Sequence, residues 1–416
     1  MPVEVRPYGS DDLRPFLVAA EIPFGYEVRD EYVRDHERIL ERDRLLCAYE
    51  GDAIVGTAAV CSFRLTVPGG ELPAAGVTEV GVIPSHRRRG ILTSMMSRLL
   101  ADVRSRGEPV AALWASEAAI YPRFGYGLAT LDASLDLPAA ARAFRPVPGP
   151  SGHVRLVDAA EAGDLLPRVF EAARAARPGF VTRTGAWWEL HVLRDRESDR
   201  DGAGPTFTAV EEGEAGPEGY VRYRTRHAWQ AHGHENILQV RELIASTPRA
   251  ERALWRFVLD MDLVARVRAE HQPVDSPLLL LLSEPRQLGF TLGDGLFVRL
   301  VDVAGALSGR RYAAAGSVVL DVSDAGAPWN GGRWRLTVDG DAGASSGTSM
   351  GGVVERTEDE ADVALDVTDL GSCYLGGFTF GELTRAGRAV EGRPGAAHRA
   401  DALFAADRAP WCPEVF

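Results

Sequence analysis

Apolar positions along the chain change period several times, and each change marks an element. Leu45–Tyr49 and Ile54–Val60 are apolar runs around a Glu50-Gly51-Asp52 turn, and Phe63–Val67 continues the second run to Pro68-Gly69-Gly70. Thr78–Ile83 is another β-type run, closed by Pro84. Immediately after it the pattern becomes helical: Ile91, Leu92, Met95, Met96, Leu99 and Leu100 share one face of a helix reaching about Arg106. Pro109–Trp114 reads as the next strand, Glu117–Phe124 as a short helix, and Tyr126 opens a final strand. Pro138–Pro150, rich in Pro, Ala and Gly, reads as a linker.

The next stretch repeats the plan. Thr206–Val210 and Tyr220–Thr225 form a hairpin, and Ile237–Ile244 a strand. Thr247 and Pro248 start a helix as cap and first-turn residue, and Leu278–Leu282 reads as a buried strand. The remainder differs. Strands are expected at Ser317–Val322, Arg333–Val338 and Ala361–Val367, and helices at Phe380–Val390 and His398–Ala406. The chain closes on Ala-Pro-Trp-Cys-Pro-Glu-Val-Phe, too apolar for a solvated tail, so it is expected to dock. The expected organisation is therefore residues 1–150, 151–300 and 301–416, in an α/β (α+β) fold.

Composition narrows the class. The chain has 416 residues and a formal net charge of −13, which disfavours nucleic acid as a partner and suits cationic ligands. No aliphatic run approaches a membrane span, and no signal peptide is visible. Four widely spaced cysteines, Cys47, Cys61, Cys373 and Cys412, fit a reducing cytoplasm better than a metal site or a disulfide framework. No membrane or metal is expected. All 46 basic side chains are arginine, so internal lysine acetylation is impossible.

The chemistry lies in two segments. Between strand and helix stands Ser85-His86-Arg87-Arg88-Arg89-Gly90. A helix start offers N–H groups without intrahelical partners, the dipole there favours anions, Gly90 lets a ligand approach the backbone, and arginine adds charge-assisted bonds. These are the parts of a pyrophosphate cradle. The repeat has Thr-Pro-Arg-Ala-Glu-Arg at the same place, without the glycine turn and with an acid, Glu251, that repels phosphate. It is expected to bind no cofactor. The second segment is Trp114-Ala-Ser116-Glu117-Ala-Ala-Ile-Tyr121-Pro-Arg-Phe-Gly125-Tyr126.

Arg87-x-x-Gly90-x-Leu92 resembles the coenzyme A loop of GNAT N-acetyltransferases, departing from it at Leu92. Tyr121 and Gly125-Tyr126 resemble that family's Tyr-x-x-x-Gly-Phe ending. The whole chain resembles the Eis-type (enhanced intracellular survival) acetyltransferases of actinobacteria. The resemblance implies two tandem GNAT-like domains followed by a sterol-carrier-protein-like α/β domain whose C-terminus reaches the active site. It implies acetyl-CoA as co-substrate, contacted by Val80, Gly81, Val82, Arg88, Arg89, Gly90, Ile91, Leu92, Thr93, Ser116 and Glu117. Tyr121 would be the general acid and the Phe416 carboxylate the general base. It further implies a small-molecule amine acceptor, with aminoglycosides and polyamine-like amines as candidate classes, and a homohexamer. An α-carboxylate is a weak base in water, with a reference pKa of about 3.5, and burial beside aromatic rings would raise it. A backbone N–H near Val82 could stabilise the developing oxyanion. Glu27, Asp30 and Glu414 are candidate acidic pocket residues. Two alternatives remain open: transfer from another acyl-CoA, and a non-catalytic lipid- or coenzyme-binding regulatory protein.

Overall fold

The computed structural model describes residues 2–147, 152–214, 216–230, 233–340 and 350–416. Residues 148–150, the end of the expected linker, lie outside them. The chain forms two compact units. The first comprises Met1–Thr130, Val181–Ala186 and Gly295–Phe416; the second comprises Leu131–Phe180 and Trp187–Asp294.

The first unit holds a seven-stranded sheet. Its strands are β1 (Val3–Pro7), β2 (Leu45–Glu50), β3 (Ala53–Val67), β4 (Gly70–Val82), β5 (Val110–Trp114) and β6 (Gly127–Leu128), with Leu296–Leu300 between β5 and β6. Helices α1 (Arg14–Glu21) and α2 (Asp30–His36) follow β1, and α3 (Ile91–Ser105) follows β4. Met95, Met96, Leu99 and Leu100 of α3 pack with Ala75, Val77, Ala111 and Leu113 in one buried cluster, as the helical period requires. The parallel pairing of β4 with β5 runs from Ala74–Val110 to Gly76–Ala112, and beyond it the two strands part.

The same unit carries a six-stranded sheet near the C-terminus. Gly316–Ser323 and Gly332–Val338 fall where alternation placed strands. The expected strand Ala361–Val367 is shorter, Val363–Asp366, because the Asp366 side chain accepts from Thr368 N and caps a helix, Val367–Tyr374. The expected helix from Phe380 stops at Arg385, and Ala389–Glu391 is a strand.

The second unit has its own seven-stranded sheet. The strand expected after Tyr126 divides: Gly127–Leu128 pairs in the first unit's sheet, and Leu131–Pro138 pairs in the second's. Leu278–Leu282 corrects the strand reading. Leu278–Leu281 is a short helix, because Pro277 enters with helical backbone angles and a five-residue aliphatic run has no period to oppose it. The strand parallel to Ile237–Ala245 is instead Arg266–Gln272.

Candidate active site

Gly90 takes φ +79° and caps α3 without a side-chain hydrogen bond. No acidic residue stands in the first turn of α3. Arg88 is also left-handed, with φ +63°. A turn with these angles admits glycine readily and other residues at a cost. The result is a helix start whose N–H groups are neither capped nor neutralised. Glu50 braces the turn from β2: Arg89 Nη2 donates to it at 2.6 Å, and His86 Nε2 lies 3.0 Å away. Those two bonds hold the Glu50 carboxyl at about 2.

Beside this turn opens a cavity of about 560 Å³. Val80, Gly81, Val82, Arg88, Gly90, Ile91, Leu92, Thr93, Ser116 and Glu117 line it, as does Tyr121. Every sequence-predicted coenzyme contact except Arg89 is therefore on one wall or another. Arg89 is turned to Glu50, while Arg87, the first residue of the Arg87-x-x-Gly90-x-Leu92 loop, and Arg123, not singled out from sequence, line the cavity. A cationic, uncapped helix start beside a partly open cleft suits a pyrophosphate with an extended pantetheine arm. At the corresponding helix of the second unit, Pro248–Leu259, the Thr247 side chain accepts from Ala250 N and Glu251 occupies the first turn. Arg249 is already paired with Glu211 and Glu218.

Tyr121 begins a 3₁₀ turn that ends at Gly125, φ +82°. The Arg299 guanidinium stands where a Cβ on Gly125 would project, so a larger residue has no room there. Arg299 Nη2 donates at 2.7 Å to Asp324, and both side chains are fully buried. Thr368 Oγ1 donates to Pro122 O at 3.0 Å. The C-terminal segment thus fixes the turn that presents Tyr121. Burial, and secondarily the charge of Glu117, raises the Tyr121 pKa, so the phenol stays protonated and able to donate.

The chain end lies on the other face of the same sheet. Ala75 and Val77 face α3, so Gly76 faces away, and the Phe416 ring lies 3.3 Å from where a Gly76 Cβ would stand. Phe416 also packs on Phe63, with ring centroids 4.9 Å apart. Trp411 and Cys412 are buried, and Arg183 forms a buried ion pair with Glu414. Phe416 therefore sits where β4 and β5 begin to part. Of the candidate acidic residues, Glu414 belongs to that ion pair, Asp30 is exposed and paired with Arg14, and Glu27 is exposed.

Sequence reasoning missed a polar group on this face. A bulge in β4 sets two residues, Glu79 and Val80, against Ala58 of β3. Glu79 has φ +52° and its side chain is 13% exposed. Its carboxyl is pushed up to about 7 by burial and by nearby Glu21. A lone acid inside the run Val77–Val82 was the available signal.

Residues 4–129 and 179–300 each match the acetyltransferase (GNAT) domain, and residues 303–413 match the sterol carrier protein domain. A Streptomyces avermitilis N-acetyltransferase is 44% identical over 420 residues, covering all of both chains. The N-acetyltransferase Eis of Mycobacterium tuberculosis is 35% identical over 366 residues, 86% of this chain and 84% of that one. The crystal structure of Eis1 from Mycobacterium abscessus superposes with a TM-score of 0.84 at 35% identity, with complete coverage of both chains. Two tandem GNAT domains, a sterol-carrier-like domain and likeness along the full length make this chain a member of the Eis-type GNAT N-acetyltransferases.

Proposed function

We propose that this enzyme transfers an acetyl group from acetyl-CoA directly to a primary amine of a small cationic acceptor, an aminoglycoside or a polyamine-like amine. The observation that carries this reading is the placement of Tyr121 and Phe416 on the two sides of the strand opening that begins at Gly76 and Ala112. Acetyl-CoA supplies the activated acyl group. The α3 turn, with Arg87 and Arg88, holds its phosphates, and Val80–Val82 flank its arm. Phe416 takes the proton from the acceptor ammonium through its α-carboxylate, with Phe63 excluding water on one side. Tyr121 gives a proton to the departing thiolate. The second unit binds no coenzyme, because its helix start is capped and its arginine is already paired. A cytoplasmic homohexamer is the assembly that membership of this family supports.

The experiment is thiol release from acetyl-CoA with a panel of amines, run beside calorimetric titration with coenzyme A. The reading predicts amine-dependent release and one coenzyme site per chain. Binding without release would leave a coenzyme-binding regulator. Release only with long-chain acyl-CoA would change the donor.

A further inference from the structure

The bulge in β4 determines which face of the sheet Glu79 serves. Before it, Ala75 and Val77 pack against α3; after it, Val80 and Val82 pack against the same core. The side-chain phase has shifted by one residue, as an extra residue in a strand demands. Thr78 and Glu79 therefore both face away from α3, on the side where Phe416 lies against Gly76. Without the bulge Glu79 would point into the apolar core with Val77.

Glu79 meets side chains from α1 and α2. His36 Nε2 lies 3.6 Å from its Oε1. His36 is held by its other nitrogen, which donates to Tyr32 O at 2.8 Å, because a carbonyl can only accept. The Nδ1 proton is thereby fixed, so His36 meets Glu79 through Nε2, as an acceptor when neutral and as an ion-pair partner when protonated. Tyr32 packs against the His36 ring at a tilt, with centroids 3.8 Å apart, and donates its hydroxyl to Glu21. Cys61 of β3 also lies within the field of Glu79. The groups facing Glu79 are thus a carboxylate, an imidazole, a phenol and a thiol, and among the described residues no arginine is paired with it. Its backbone is left-handed, a conformation glycine adopts freely and other residues at a cost. A strained, poorly solvated carboxylate turned to the acceptor side suits a cation brought from outside.

We infer that Glu79, with His36 beside it, holds a second cationic group of the acceptor while another amine of the same molecule is acetylated at Phe416. The preferred acceptor class is then a diamine or polyamine rather than a monoamine. Glu79 and Gly76 are three residues apart on one strand, roughly 10 Å, which leaves room for a short polymethylene chain between the two charges. This inference rests on the proposed acetyl transfer for the meaning of the first amine, but the binding of the second cation is measurable without turnover.

The test compares cadaverine with pentylamine, which differ by one ammonium. Binding is followed by calorimetry on the full chain with coenzyme A present, and turnover by thiol release. Wild type should bind cadaverine roughly tenfold or more tightly than pentylamine, the effect of one charge-assisted contact. In Glu79→Gln and Glu79→Gly that ratio should fall toward one. The glycine variant guards against misfolding, because it relieves the left-handed backbone while removing the carboxylate. The cadaverine preference of wild type should grow as pH rises through about 7, as Glu79 becomes charged, and both variants should lose that pH dependence. A wild type that does not discriminate, or variants that keep the discrimination, would overturn the inference. Thiol release with pentylamine but no Glu79-dependent preference sinks this inference alone. Glu79-dependent binding without thiol release from any amine sinks the acetyl-transfer reading and leaves the cation site standing.

Discussion

The buried pair Arg183–Glu414 should control catalysis from two residues short of the chain end. Its side chains are 2% and 6% exposed, so neither charge is well solvated. Removing one partner of such a pair typically costs about 3–5 kcal/mol, whereas replacing both with apolar residues is often close to neutral. The two single changes should differ. Glu414→Leu leaves an arginine that cannot give up its charge, while Arg183→Met leaves a carboxylate that can take up a proton. Glu414→Leu is therefore the more damaging. If the loss is felt by the whole unit, melting falls by about 6–20 °C, at 2–4 °C per kcal/mol for a unit of this size. If the tail releases locally instead, melting changes less, but Phe416 leaves Phe63 all the same. In both cases kcat for thiol release should fall at least about a hundredfold if the Phe416 carboxylate is the proposed base, since catalytic geometry does not survive such a displacement. The double variant Arg183→Met/Glu414→Leu should melt higher than Glu414→Leu, so a cycle of the four proteins separates the pair's energy from general damage. Differential scanning calorimetry and thiol release on all four supply the numbers. Single variants with wild-type kcat would refute the claim that this pair positions the chain end.

Three further outcomes follow from the geometry. Tyr121→Phe should lower kcat by roughly 10²–10⁴-fold and leave calorimetric affinity for acetyl-CoA nearly unchanged, as the proposed proton transfer to the departing thiolate requires. Gly90→Val should weaken coenzyme A binding severely in the same titration, since φ +79° disfavours a β-branched residue and the backbone must stay open to phosphate. Glu79 binds its proton more tightly in the folded chain, at about 7 against 4.5 unfolded, so stability falls as pH rises through that window. The loss is about 3 kcal/mol by denaturant titration between pH 4.5 and 8, and Glu79→Gln should abolish that component.

The coenzyme side of the site was legible because its determinants are local. A β run, a basic glycine turn and a helical period are contiguous from Thr78 to Leu100, and Thr247-Pro248 announced its helix in the same way. The docking tail was legible from composition alone. The proposed acceptor side was not, because it depends on phase and on distant pairing. Glu79 reads as one more position in an alternating strand, and only the register of β4 against β3 shows that it has changed face. Leu296–Leu300 joins β5 although more than 180 residues separate them in sequence, and no local pattern encodes that partner. Arg299 and Asp324, 25 residues apart, likewise meet only through the tertiary fold. The helix at Leu278 shows the converse limit: five aliphatic residues specify burial without specifying a period.

The central claim is that the chemistry needs the free α-carboxylate of Phe416 at the strand opening. The most direct measurement is the rate of amine-dependent thiol release by the chain ending at Phe416 and by the same chain extended by one glycine. The extension keeps every side chain and converts the carboxylate to a neutral amide, moving the terminal charge by about 3.8 Å. With coenzyme A affinity and melting temperature unchanged, the account predicts a loss of at least about a hundredfold in kcat. Equal rates from the two proteins would contradict it.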